Sequence, residues 1–144
     1  MNISFHLLVL LLLLLPCVPL MAEGYLAKGV RVIDGDTIKV ETLLLPWDVA
    51  LTNQRIRIAD FDAWEASYRR RSVNVTEEEI VKGKQATEDL KELVANAQVF
   101  VLPYKQRSRD VYGRILATIE IKKDNQTIQL KDWMKERGHL RDGQ

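Results

Sequence analysis

Along residues 30–41, VRVIDGDTIKVE, apolar and polar side chains alternate on both sides of Asp34-Gly35. That period-two pattern predicts two strands joined by a tight turn. A loop through LLLPWDVALTNQ leads to a third strand around residues 55–58. Residues 66–80 are polar, carry Arg69, Arg70 and Arg71, and read as an exposed loop. Thr76 and Glu79 have the spacing of a capping box, but Gly83 soon interrupts the pattern. The helix is therefore expected over residues 84–96, where Ala86, Leu90, Leu93, Val94 and Ala97 share one face. QVFVLPY and RILATIEI read as a fourth and a fifth strand, KDNQ as a turn, and LKDWMKER as a short helix stopped by Gly138. Runs of strands interrupted by single helices predict a mainly β, α+β domain: a small closed five-stranded barrel with two helices packed outside it.

The first 22 residues contain no Lys, Arg, Asp or Glu, and residues 7–15 are an unbroken apolar run. The run is shorter than the roughly 20 apolar residues of a membrane span, and Pro16 and Pro19 punctuate its end. This predicts an export signal over residues 1–22, cleaved after Ala22, and a secreted or periplasmic domain over residues 23–144. The alternative is an uncleaved N-terminal segment that tethers the domain to a membrane. All 21 basic and 20 acidic residues lie after the signal. Net charge near zero gives the whole molecule no bias toward a polyanion, so any steering must come from local patches. The single cysteine, Cys17, falls within the signal. An exported domain without disulfides must be held by packing or by a ligand.

Chemistry-bearing residues gather in three segments: IDGDT, RIADFDAWE and RDVYGRILA. Taken singly, each has an ordinary reading. Asp34-Gly35 suits a hairpin turn. Asp60, Asp62 and Glu65 suit a solvated loop, and Arg114 suits a strand surface. Carboxylates that converge repel by about 4 kcal/mol per pair at 4 Å and an effective dielectric of 20, so a convergence of these would call for arginine, a metal ion or both.

Taken together and in this order, the segments resemble the staphylococcal nuclease family over residues 30–138. The resemblance rests on Asp34-Gly35-Asp36-Thr37, on Arg57 followed by Asp62, Ala63 and Glu65, on Tyr112-Gly113-Arg114, and on the helix GKQATEDLKELVANA between them. It implies an OB-fold barrel and a Ca²⁺-dependent nuclease that hydrolyses phosphodiester bonds of DNA and RNA, with single strands preferred and a monomer as the default state. By similarity, Asp36, Asp62 and the backbone carbonyl of Ala63 are ligands of Ca²⁺, a hard cation that accepts oxygen donors. Glu65 orients or deprotonates the attacking water, and Arg57 and Arg114 grip the phosphate. Tyr112, Lys105 and Arg107 are substrate contacts on the barrel, with Lys82, Lys84 and Arg109 as further backbone contacts.

The sequence departs from the family in four places. Trp64 stands where proline is usual before the glutamate, and Asp60 adds a carboxylate. The loop after Glu65 is longer and carries the arginine triplet, and the sequence stops at Gln144 with no counterpart of the family's C-terminal helix. An alternative of a different class is an OB-fold module that binds nucleic acid or protein and does not cut.

Overall fold

The computed structural model describes residues 24–66, 75–105 and 107–141. The export segment 1–22 and the triplet Arg69, Arg70 and Arg71 lie outside the described residues. The elements in chain order are β1 (Tyr25–Lys28), β2 (Arg31–Asp34), β3 (Thr37–Leu44), β4 (Ala50–Ile58), α1 (Glu77–Val94), β5 (Gln98–Pro103), β6 (Ile115–Lys123), β7 (Gln126–Gln129) and α2 (Leu130–Glu136).

Five strands close on themselves. β1 pairs antiparallel with both β3 and β5, β3 with β4, and β5 with β6, while β4 and β6 run parallel. The ring β1-β3-β4-β6-β5 is a closed five-stranded mixed barrel consistent with an OB-fold, the class of barrel expected, although β1 closes it where the strand pattern places β2. β2 prolongs the sheet beside β3, and β7 folds back on β6. Inward residues of every barrel strand fill the centre, among them Ile38, Val40, Ile56, Ile58, Val99, Val101, Ile119 and Ile121. Leu90 of α1 and Leu130 and Met134 of α2 are also fully buried in this core. Each such aliphatic side chain contributes about 1.5–3 kcal/mol by leaving water.

Three expectations need correction. β1 and β7 are additional strands: both are four residues long, and QTIQ has almost no apolar face to announce it. β4 begins at Ala50, because the polar ALTNQ segment is held by pairing with residues 40–44 of β3 rather than by burial. Finally, α1 starts at Glu77 instead of Lys84. Its capping box is complete: the Thr76 hydroxyl accepts from the Glu79 N–H at 3.2 Å, and the Glu79 carboxylate accepts from the Thr76 N–H at 2.9 Å.

Gly83 does not end α1; it lies buried within it. A Cβ there would stand 2.6 Å from the Trp64 carbonyl oxygen and closer still to the Glu65 carbonyl group. Glycine thus gives up helix propensity, worth about 1 kcal/mol against alanine, so that α1 can lie against the backbone of the loop after β4. Gly35 serves the same seam. A Cβ on it would meet the Ala63 Cβ at 2.8 Å and the Ala86 Cβ at 3.0 Å.

Candidate active-site cleft

The β2–β3 turn, the loop that leaves β4 and the segment that enters β6 meet at one end of the barrel. They enclose a cleft of about 430 Å³ lined by Ile33, Asp34, Gly35, Asp36, Arg57, residues 62–66 and Arg114. Six of the twelve residues given a role from the sequence, namely Asp36, Arg57, Asp62, Ala63, Glu65 and Arg114, therefore border one space. Tyr112, Lys105, Arg107, Lys82, Lys84 and Arg109 do not line it. Tyr112 is 76% exposed, with its ring 5.4 Å from the Arg114 guanidinium carbon. Lys105 and Arg107 are exposed on the loop before β6, where Arg107 Nε donates to the Arg109 carbonyl at 3.1 Å.

Asp36 is the most constrained carboxylate. Only 5% exposed, it accepts from the Thr37 hydroxyl at 2.7 Å and from the Ala63 N–H at 3.3 Å. Burial pushes its pKa up, the charge of Asp34 adds to this, and the Arg57 guanidinium and the Thr37 hydrogen bond pull the other way; the balance stands at about 7. Arg57 lies between two carboxylates. Its Nη2 is 3.1 Å from Asp36 Oδ2 and also donates to Asp62 Oδ1. Burial lowers the Arg57 pKa, but the charge of Asp36 and the bond to Asp62 outweigh it and move it up. The guanidinium is fully charged at any physiological pH.

Arg114 is aimed by a residue that the sequence did not single out. Asp110 Oδ2 accepts from Arg114 Nε at 2.6 Å, while its Oδ1 accepts from the N–H groups of Tyr112 and Arg114, both at 2.9 Å. Burial raises the pKa of Asp110, yet the side-chain and backbone bonds from Arg114 and the backbone bond from Tyr112 hold it below the usual carboxylate range. Arg114 Nη1 reaches the Thr37 hydroxyl at 3.4 Å. Both arginines are thus pre-set on the same pair of strand ends, since Thr37 and Arg57 are register partners. Asp34, which the sequence assigns to a turn, also lines the cleft, and its Oδ1 accepts the Asp36 N–H at 3.2 Å. An Asp-x-Asp spacing across a tight turn is the signal the sequence offers for it.

The loop holding Asp62, Ala63, Trp64 and Glu65 is fixed from two sides. On one side stands α1, admitted by Gly83. On the other, the segment after α2 forms an isolated bridge, Ala63 to Leu140, and the Arg141 N–H donates to the Asp62 carbonyl at 2.9 Å. Trp64 takes part in this clamp: its Nε1–H donates to the Gly138 carbonyl at 3.2 Å, and Lys82 Nζ lies 4.6 Å from its ring centre. These contacts tie the indole both to the segment after α2 and to α1. Asp60, by contrast, lies away from the cleft, bonded to the Tyr104 hydroxyl at 2.9 Å.

The donor set fits a hard cation in its chemistry. Two carboxylates, Asp36 and Asp62, converge on one point now neutralised by Arg57, and the buried Asp36 carries charge at a cost that a cation would relieve. Among the described residues no group of three or more His, Cys, Asp or Glu side chains converges. Further donors for such a cation are therefore backbone carbonyls, water or a substrate oxygen. No protein-family model matches the chain, and no curated protein matches it.

Proposed function

We propose that this chain is an exported Ca²⁺-dependent nuclease of the staphylococcal nuclease type, hydrolysing phosphodiester bonds of DNA and RNA in single strands as a monomer. The observation that carries this reading is the meeting of Asp36, Asp62, Arg57, Arg114 and Glu65 around one cleft. Opposite charges are held there at fixed positions by second partners, an arrangement that suits a substrate combining anionic oxygens with a hard cation.

Asp36, Asp62 and the Ala63 carbonyl would hold calcium. When bound, calcium neutralises charge that builds on the phosphoryl oxygens. Arg57 and Arg114 donate to those same oxygens, and their hydrogen bonds strengthen as the phosphorus takes on the attacking water. Glu65 accepts a proton from that water. The P–O ester bond then breaks, and the departing alkoxide takes a proton from solvent to leave an alcohol and a phosphomonoester. Asp110 acts by positioning: with Nε of Arg114 engaged, the far end of the guanidinium is held at the cleft wall.

A second reading is a strand-binding module that does not cut. It is favoured by the direct seating of Arg57 on Asp36 and Asp62, which spends one phosphate-gripping group on the carboxylates. Turnover of denatured DNA with added Ca²⁺ and then with excess chelator separates the two. The nuclease reading requires cutting that stops with chelator and returns with calcium; strand binding without cutting under both conditions rejects it.

A further inference from the structure

On the outer face of the barrel, Arg31, Lys39 and Arg55 stand in direct cross-strand register. Arg31 is opposite Lys39 on β2 and β3, and Lys39 is opposite Arg55 on β3 and β4. Their chain neighbours Ile38, Val40 and Ile56 are buried, so the pleat turns Lys39 and Arg55 outward. Opposed residues on adjacent strands have Cβ atoms about 4.5–5.5 Å apart, and like charges there destabilise the sheet. Arg31 is relieved by Glu41, at 2.9 Å. Neither Lys39 nor Arg55 has an ion-pair partner among the described residues. Among the described residues, then, two cations face each other across the sheet at a cost that no ion pair there recovers.

Their position supplies a reason. Two residues along the same strands come Thr37 and Arg57, again in register: Arg57 lines the cleft, and the Thr37 hydroxyl accepts from Arg114, which also lines it. Alternate residues of a strand are separated by about 6.8 Å, which is comparable to the repeat of an extended polynucleotide backbone. Lys39 and Arg55 therefore stand side by side as two cations one strand repeat away from Arg57 and the cleft. β3 and β4 are also the second and third strands of the closed barrel, and in OB-folds that face is suited to a single strand.

We propose that Lys39 and Arg55 form a phosphate track for the part of a single-stranded polynucleotide that flanks the bond in the cleft, so that polymer is preferred to a mononucleotide diester. The proposal rests on the phosphodiesterase reading for what occupies the neighbouring cleft. Each cation lost from a single-strand interface lowers the slope of log K against log salt by about 0.7. For two cations that is a slope smaller by about 1.4 and, at 0.1 M salt, binding weaker by about 25-fold.

The test compares wild type with the double variant Lys39→Gln, Arg55→Gln. Two substrates are used: an oligothymidylate of about 20 nucleotides and a nitrophenyl phosphodiester of thymidine. The ratio of kcat/KM for the strand to that for the diester should fall about 25-fold, through KM, with the salt slope reduced by about 1.4. Exchanging the two residues as Lys39→Arg, Arg55→Lys should restore both. The double variant should melt no lower than wild type, because a like-charge pair is removed; a lower midpoint overturns the electrostatic argument. Ratio and slope within twofold of wild type overturn the track while leaving the nuclease reading intact. Labelled-strand anisotropy in chelator makes the reverse distinction. A chain that cuts nothing but loses the same slope in the double variant keeps the track and rejects the nuclease.

Discussion

Replacing Gly83 by alanine isolates the contact that fixes Glu65. The added methyl would stand 2.6 Å from the Trp64 carbonyl oxygen, where ordinary contact begins at about 3.4 Å, and it would crowd the Glu65 carbonyl more closely. These obstacles are backbone atoms, so no side chain can swing aside, and the loop or the helix must yield by about 1 Å. Two effects then oppose each other. Alanine returns about 1 kcal/mol of helix propensity, whereas overpacking costs about 1–3 kcal/mol, so the stability change should be small. Activity should not be. A displacement of about 1 Å in a catalytic group costs on the order of 10²-fold in rate, or about 2.7 kcal/mol of transition-state stabilisation. Steady-state hydrolysis of denatured DNA in saturating calcium reads the loss in kcat, and thermal melting monitors the fold. The exposed Val81→Ala on the same helix is the control for propensity. A Gly83→Ala protein that cuts within twofold of wild type would refute the claim that this helix sets the glutamate.

The same cleft gives rise to other expectations. The folded-state pKa of Asp36 lies above its ordinary value of 3.8, at about 7, so the folded state retains a proton that the unfolded chain releases. Without calcium, stability should fall as pH rises from about 4 to 7, by about 4 kcal/mol at most; urea unfolding at both ends of this range should show the fall in wild type and not in Asp36→Asn. Arg57→Ala leaves two neighbouring carboxylates without their shared cation, and should cost about 3–5 kcal/mol of stability by urea unfolding as well as activity. Arg114→Ala should lower the rate of DNA hydrolysis by 10²- to 10³-fold, on the order expected for a lost oxyanion donor. Calcium at about 100 times its Kd should stabilise the folded chain by about 2.7 kcal/mol, and Asp62→Asn should abolish that gain in a melting assay.

Much of the barrel is legible in the sequence because its buried strands carry apolar residues at alternate positions, as in Ile38 and Val40 of β3 and throughout Ile115–Ile121 of β6. The missed strands are those whose stability is not local. Gln126–Gln129 has one half-buried residue and exists through its ladder to β6. The polar arm of β4 depends likewise on β3. Gly83 obscures the helix boundary for the same reason. Propensity argues against glycine inside a helix, and the contact that requires it lies with Trp64 and Glu65, far away in sequence. In the cleft, the arginines and carboxylates could be named from their segments, and the three motifs do come together. Their pairing could not be named. Nothing in the sequence places Arg57 directly between Asp36 and Asp62, or shows that Asp110 holds both the backbone and the side chain of Arg114.

The most direct test of the central claim is the rate at which the purified chain cuts denatured DNA in calcium, measured beside a folded Glu65→Gln variant. Wild type should turn over the strand at a rate that excess chelator stops, and the variant should still bind the strand but have lost most of that rate. Equal rates for the two proteins, or strand binding with no calcium-dependent cutting by wild type, would contradict it.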